Sequence, residues 1–171
     1  MKKVRGFTLI EVVVVLAVVA ILAAILVPTI EKNINDAKRT RASNEVQVLG
    51  AAMASYFKDV GKWPAEGYDV LWTENGEQPT FNPNWNTSNG TYFKDYLITN
   101  TGNASNWKGP YLAEIKGDPW GYRYVCNISA ANNSSLALFV VSGGDDNTVN
   151  TEQNLSTSES IDSSDIGVRL R

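Results

Sequence analysis

The sequence of 171 residues contains no histidine and only one cysteine, Cys126. Without histidine, the chain has no His-based acid or base, no Ser-His-Asp or Cys-His nucleophile system and no His-ligated zinc ion. A single cysteine forms no intrachain disulfide, and its position in the strand-like run 122–126 predicts a small buried core residue. No carboxylates are paired in a recognisable cleft motif either, so the sequence argues against an enzyme.

Charge is also sparse, and it is unevenly distributed along the chain. The formal net charge is −3, and the Lys and Arg residues form no basic face, which argues against nucleic-acid binding. Lys2, Lys3 and Arg5 lie ahead of the first apolar run, whereas the last third of the chain is acidic and rich in Ser, Asn and Thr.

Residues 7–30 form one long apolar run in which Glu11 is the only charged residue. A helix of about 20 apolar residues spans the bilayer hydrocarbon, so the run predicts a membrane-spanning helix, and the preceding basic residues place its N-terminus in the cytoplasm. A secretory signal fits poorly, because the run is too long and no small-residue cleavage site follows it. A plain anchor leaves Glu11 unexplained, since a carboxylate in a span costs about 2–3 kcal/mol and normally has a partner.

After Pro28 the pattern becomes amphipathic and predicts that the helix continues to Val60. Proline removes a backbone hydrogen bond, so we expect a bend or a looser turn at Pro28. Apolar residues then recur mostly three or four positions apart, with polar residues on the other side. The apolar positions are Ile34, Ala37, Val46, Leu49, Ala52, Met53, Tyr56 and Val60.

Two features interrupt this amphipathic helix. The apolar stripe nearly disappears between Lys38 and Glu45, which predicts that this stretch faces solvent or neighbouring subunits while residues 46–60 pack on the head. Gly50 is expected to weaken the helix by up to about 1 kcal/mol relative to alanine. Gly61 then ends the helix.

Residues 61–171 predict a small globular head. Residues 61–110 are rich in Asn, Thr, Gly, Pro and aromatic residues, which indicates an ordered but mostly irregular loop with a short helix near residues 92–98. The aromatic residues either pin this loop onto a small core, the interpretation that we favour, or form a binding patch. Apolar runs at residues 122–126 and 136–142 predict two strands.

The start of the chain resembles a known processing signal. A short basic leader followed by Gly6-Phe7-Thr8-Leu9-Ile10-Glu11-Val12 is similar to the class III signal of type IV pilins and type II secretion pseudopilins. This resemblance implies that a membrane-bound prepilin peptidase cuts between Gly6 and Phe7 and methylates the new N-terminus of Phe7. It also implies that Glu11 pairs with the N-terminal amine of a neighbouring subunit, and an ammonium at that depth would compensate the buried carboxylate.

Two later segments resemble the major pseudopilins of type II secretion systems. They are Gly109-Pro110-Tyr111-Leu112 and Asp118-Pro119-Trp120-Gly121. The resemblance implies an α+β, pilin-like fold, in which a long N-terminal helix packs on a small antiparallel β-sheet head with an irregular αβ-loop. The expected segments are a cleaved leader (residues 1–6), a membrane and filament-core helix (7–30), an amphipathic helix (31–60) and the head (61–171).

The acidic C-terminal part resembles a calcium-binding loop of the same family. Ser142, Gly144 and Asp146 match a Ser-x-Gly-x-Asp pattern, and Asp165-Ile166 resembles the second acidic group. Ca²⁺ takes six to eight oxygen ligands from carboxylates and carbonyls, whereas the alternative is an ordinary acidic turn. The implied ligands are Asp146 and Asp165, with Asp145, Asp162, the Gly143 carbonyl and Ser142 as further candidates.

The predicted function is therefore that of a structural subunit in a type II secretion pseudopilus. The expected protein is single-pass in the inner membrane, with a periplasmic head, and it polymerises through its N-terminal helix to support protein export. The expected partners are further copies of the chain, the prepilin peptidase, minor pseudopilins and the inner-membrane assembly platform. Two alternatives stay open: a type IV pilin of a surface filament for adhesion, motility or DNA uptake, and a membrane-anchored calcium-dependent binding domain.

Overall fold

A computed structural model describes residues 6–171, and its dominant element is the 52-residue helix α1, Leu9–Val60. The helix continues through Pro28 and ends one residue before Gly61, where the sequence predicts its end. Residues 1–5, which hold most of the predicted leader, lie outside the described residues. The chain divides into two compact units at the boundary between Ala37 and Lys38.

The first unit is the N-terminal part of α1. By length and composition this helix is long and apolar enough to cross a membrane. Its large apolar side chains between Leu9 and Ile30 are all exposed in the single chain. An exposed apolar surface of this length needs lipid or other apolar helices around it, which agrees with the membrane-spanning helix predicted for residues 7–30.

The second unit, Lys38–Arg171, contains the rest of α1 and all the later elements. These are β1 (Val70–Trp72), β2 (Thr80–Phe81), β3 (Gly90–Tyr92), α2 (Phe93–Leu97), β4 (Val125–Cys126), β5 (Phe139–Ser142), β6 (Thr148–Val149) and β7 (Ile166–Arg169), with 3₁₀ turns at Ile128–Asn132 and Gly144–Asp146. Five strands form a sheet in the order β3-β1-β4-β5-β7. The β1–β3 pair is parallel, and the other pairs of this sheet are antiparallel. A second sheet consists of the parallel pair β2–β6.

The pilin-like α+β architecture is confirmed, but residues 61–110 are more regular than their composition predicts. They supply α2, where the short helix is expected, and also three strands. Strand β1 pairs with β4, and β3 extends the sheet beyond β1 as a parallel strand, so the sheet is not purely antiparallel. Strands of two or three residues are too short for an alternating apolar pattern, which explains why the sequence did not reveal them.

The main core lies between α1 and one face of the sheet. The helix buries residues from Ala42 to Tyr56 against side chains of the sheet and of α2. Cys126 is fully buried in β4, as predicted, and burial raises the pKa of its thiol. The buried members of this core are Ala42, Val46, Leu49, Ala52, Met53, Tyr56, Ala65, Leu71, Phe93, Leu97, Tyr124, Cys126, Ile128, Ala131, Leu138, Val140 and Ile166.

The prediction that residues 38–45 face solvent or neighbouring subunits holds only in part. Thr40, Arg41 and Asn44 are exposed, but other residues of the stretch contact the head. Ala42 is fully buried in the head, and the ammonium of Lys38 lies 5.9 Å from the centre of the Trp120 ring. Arg39 forms a salt bridge with Asp145. Small and charged side chains make these contacts, so the stretch packs on the head without an apolar stripe.

Gly50 has a packing role that its low helix propensity does not reveal. A Cβ atom at this position would lie 2.9 Å from Cδ2 of Leu170 and 3.0 Å from Cγ1 of Val168. The absence of a side chain therefore lets the end of the chain lie directly against α1. The weaker helix at Gly50 is the cost of this close approach.

Candidate functional site

The first turn of α1 is closed by a reciprocal contact between Thr8 and Glu11. Thr8 directly precedes the helix, and its backbone N–H and its hydroxyl donate to Oε2 of Glu11 at 2.8 and 2.7 Å. The backbone N–H of Glu11 lies 3.4 Å from the Thr8 hydroxyl oxygen. This is a capping box, in which a Thr at the N-cap and a Glu three residues later satisfy free backbone donors of the first turn. The Thr-x-x-Glu spacing is visible in the sequence.

The predicted processing residues lie immediately before this turn. Gly6 and Phe7 precede the helix, and the Phe7 side chain is 89 % exposed. Apart from its chain neighbours, no described residue has an atom within 4 Å of the position that a Cβ of Gly6 would occupy. Glu11 lies four residues after Phe7.

Asp145 and Asp146 lie in the 3₁₀ turn Gly144–Asp146 after β5, and both accept hydrogen bonds from other residues of the head. Oδ1 of Asp145 accepts a hydrogen bond from Nη1 of Arg39 at 2.7 Å, and Nη2 of Arg39 lies 3.5 Å from the Ser164 carbonyl oxygen. Oδ1 of Asp146 accepts from the backbone N–H of Thr148 at 2.9 Å. The guanidinium of Arg39 thus bridges a carboxylate of one loop and a carbonyl of the next, a contact that the sequence did not predict.

Asp165 is buried, and three protein donors satisfy its carboxylate. The backbone N–H groups of Asn150 and Thr151 donate to it at 3.2 and 2.7 Å, and the Thr151 hydroxyl donates at 2.6 Å. Burial raises the pKa of Asp165, and these hydrogen bonds oppose that rise. Asp162 is different: hydrogen bonds from Ser164 lower its pKa.

Ser142 and Gly143 fix the turn that leaves β5. The Ser142 hydroxyl donates to Oδ2 of the buried Asp118 at 2.6 Å and accepts from the N–H of Gly144 at 3.1 Å. A Cβ on Gly143 would lie 2.7 Å from the Thr148 nitrogen, so the turn needs glycine there. Asp118, from the Asp-Pro-Trp-Gly segment, also accepts from the N–H groups of Trp120 and Tyr122. From the sequence, Asp118 was notable only as part of a segment that resembles the major pseudopilins, and its contact with Ser142 was not predicted.

These contacts determine how well the proposed ligands fit a calcium ion. Within residues 6–171, no three acidic, His or Cys side chains are arranged to hold one metal ion. Asp145 is paired with Arg39, the hydroxyl of Ser142 is used by Asp118, and Asp165 already accepts three hydrogen bonds. The residues as folded therefore do not fit a calcium shell. The calcium site stays a prediction from the sequence alone.

Comparisons with known proteins agree with the resemblance both at the N-terminus and in the head. Residues 1–27 match the family model of the prokaryotic N-terminal methylation motif, and residues 95–160 match that of type II secretion system protein G. The type II secretion system core protein G of Pseudomonas aeruginosa is 32% identical over 124 residues, which cover 70% of each chain. The chain belongs to the type II secretion system protein G family.

Two further relatives differ in how much of the chain they cover. The core protein G of Escherichia coli is 28% identical over 156 residues, or 90% of each chain. A fimbrial protein of Eikenella corrodens is 37% identical over 62 residues, but this covers only 36% of this chain and 40% of that protein. No solved structure matches the chain. Membership in the protein G family makes the chain a pseudopilin, a structural subunit and not an enzyme, as the sequence predicted.

Proposed function

We propose that this pseudopilin is cut between Gly6 and Phe7, methylated on Phe7, and assembled into a secretion pseudopilus through the apolar part of α1. The prepilin peptidase makes the cut while the chain is held in the inner membrane with its head in the periplasm. The assembly platform then adds the subunit to a filament that minor pseudopilins begin. The filament supports the export of folded proteins.

The observation that carries this proposal is the position of Glu11 in the first helical turn. Thr8 donates twice to Oε2 of Glu11, which orients the carboxylate along the start of the helix. Among the described residues, Thr8 binds only Oε2, and the proposed assembly gives Oε1 a donor from the neighbouring subunit. Cleavage after Gly6 creates an ammonium on Phe7 of every subunit. A neighbouring subunit therefore offers the charge that a carboxylate in an apolar environment requires.

The exposed apolar surface of α1 supports the same assembly. Its large apolar side chains between Leu9 and Ile30 are exposed in the single chain. Lipid covers this surface before assembly, and helices of other subunits cover it afterwards. Helices surrounded by lipid associate through close packing and polar contacts rather than through a hydrophobic driving force, so the pair formed by Glu11 gives direction to the assembly.

The orientation follows from the charges that flank the apolar run. Lys2, Lys3 and Arg5 precede it, and basic flanks stay on the cytoplasmic side. A surface pilin would use the same N-terminal signal. The secretion filament is favoured because the protein G relatives match the head as well, whereas the fimbrial relative matches only 62 residues.

Intact-mass measurement of the protein from membranes tests the processing step. We expect the mass of residues 7–171 plus one methyl group. The substitution Gly6→Leu should leave the leader attached, and Thr8→Ser, which keeps the hydroxyl that caps the helix, should be processed normally. An unprocessed wild-type N-terminus, or a cut within the apolar run, would contradict the proposal.

A further inference from the structure

The face of the sheet that points away from α1 is covered by a second apolar layer. Val70, Val125, Phe139 and Val141 are buried on this face, each with no exposed surface. The layer that covers them comes from two distant parts of the chain. Its members are Trp85, Val149 and Leu155, which are buried, and Phe81 and Ile161, which are partly buried, and Trp72 of β1 packs against the same cluster.

One of these two parts is residues 80–86, which we call the strap. The strap lies along residues 147–153, the segment that follows the acidic 3₁₀ turn Gly144–Asp146. Strand β2 of the strap pairs in parallel with β6. The N–H of Thr80 donates to the carbonyl of Asn147, and the N–H of Asn82 donates to the carbonyl of Val149, both at 2.9 Å. Two backbone hydrogen bonds thus join the segments.

Trp85 adds the largest contact of the strap. Its indole Nε1–H donates to the Thr151 carbonyl at 2.7 Å, and the bond is buried. The Trp85 ring lies 5.1 Å from the ring of Phe81 and meets Phe139 edge to face at 6.1 Å. One side chain therefore ties the strap, the sheet and the acidic C-terminal segment together.

Gln153 completes the junction at the end of the strap. This side chain is 4 % exposed, and its Oε1 accepts from the N–H of Asn86 at 2.8 Å. Its Nε2 donates to the carbonyls of Asn86 and Asp69 at 3.2 Å. Such a buried amide is stabilising only when its donors and acceptor are satisfied, as they are here.

From this junction, hydrogen bonds continue to residues 162–165, the second acidic part of the C-terminal segment. Thr151, whose carbonyl receives the Trp85 bond, donates through its N–H and its hydroxyl to Asp165. The same hydroxyl accepts from the N–H of Asp162 at 3.0 Å. On the opposite side, Arg39 bridges Asp145 and the Ser164 carbonyl. Protein donors thus bind carboxylate oxygens in both acidic parts of the segment.

We propose that the strap and Arg39 form a protein-only clamp that holds residues 145–165 on the head without a metal ion. The strap and Arg39 lie outside residues 95–160, which match the protein G family model, whereas most of the segment that they hold lies inside it. Arg39 neutralises Asp145, and the strap supplies backbone contacts, which are two roles that a bound calcium ion would otherwise have for an acidic, polar segment.

Hydrogen exchange of the full chain in detergent micelles tests the proposal. In chelator, peptides from residues 145–165 should be protected, and millimolar calcium should change neither this protection nor Tm. A ligand that binds only the folded state would raise Tm, so a calcium-dependent increase in Tm or in protection would overturn the proposal.

Two tryptophan variants make the test specific. Trp85→Phe removes the bond to Thr151, and Trp107→Phe is the matched control, because Nε1 of Trp107 donates to the Tyr96 carbonyl at a similar 2.8 Å. We expect Trp85→Phe, and not Trp107→Phe, to speed exchange in residues 147–165 by about tenfold, as the loss of one buried hydrogen bond implies. Equal exchange in the two variants would overturn the proposal. If Trp85→Phe fails to fold, Gln153→Met replaces it, with the same expected and contrary results.

Discussion

Tyr124 donates its phenolic hydrogen to Oε2 of Glu45 at 2.5 Å and thereby joins the start of β4 to α1. Tyr124 is 2 % exposed, and Glu45 also accepts from Nε of Arg41 at 2.8 Å. Burial raises the pKa of Tyr124, and the neighbouring Glu45 carboxylate raises it further. The hydroxyl therefore keeps the proton that it donates to Glu45. This bond fixes the position of the amphipathic part of α1 on the sheet.

Tyr124→Phe should lower the stability of the head by about 1.5 kcal/mol, because a hydrogen bond to a charged group is lost from a buried site. Thermal unfolding of the full chain in detergent measures the loss. A double-mutant cycle with Glu45→Gln separates this bond from other effects of either change. If the two substitutions are additive, Tyr124 and Glu45 do not stabilise the head through their contact.

Gly50→Ala should destabilise the head, although alanine is the better helix former. The new Cβ would lie within about 3 Å of the side chains of Leu170 and Val168. Overpacking of this kind costs about 1–3 kcal/mol, which exceeds the gain of about 1 kcal/mol in helix propensity. Ser55→Ala, at an exposed position of the same helix, is the control and should be neutral or slightly stabilising. A higher Tm for Gly50→Ala would show that the end of the chain does not pack as described.

Asp165 and Asp162 should titrate in a definite order. Burial raises the pKa of Asp165 above its ordinary value of 3.8, whereas hydrogen bonds from Ser164 lower that of Asp162 below 3.8. As pH rises from 3.8 through the higher pKa of Asp165, the folded head holds more protons at this site than the unfolded chain, so the contribution of Asp165 to stability falls. The contribution of Asp162 is lost in the opposite direction, as pH falls below 3.8. Carboxyl ¹³C NMR measures both values, and the reverse order would contradict the burial of Asp165.

The long helix and the processing signal could be predicted because their patterns extend over many residues. Residues 7–30 carry a single charge, and apolar spacing continues the helix to Val60. The length of the run separates it from a secretory signal, and Glu11 separates it from a plain membrane anchor. The short helix α2 was also expected. The residues that follow Asp165 contain a weaker signal that we did not use, since apolar residues alternate at Ile166, Val168 and Leu170, and this segment forms β7.

The acidic sites and the strap could not be predicted, because their contacts join residues that are far apart in sequence. Arg39 and Asp145 are 106 positions apart, and Trp85 and Thr151 are 66 apart. Both contacts depend on how the sheet is ordered, and β1 to β3 are too short to reveal that order. The acidic residues therefore resembled ligands in the sequence, whereas the fold surrounds them with protein donors.

The assembly role of Glu11 is the central claim, and filament formation tests it most directly. Glu11→Val makes the apolar run more apolar, so insertion and cleavage should stay intact while the ammonium of the neighbouring Phe7 loses its partner. Glu31→Val is the matched control, because Glu31 is an exposed carboxylate farther along the same helix.

The measurement is the amount and length of filaments, seen by electron microscopy, in cells that express each variant with a type II secretion system. Breaking a buried ion pair costs about 3–5 kcal/mol, which corresponds to a loss of assembly of more than about a hundredfold. We expect processed but unassembled subunits for Glu11→Val and normal filaments for Glu31→Val. Filaments of Glu11→Val that form at the wild-type rate and length would contradict the account.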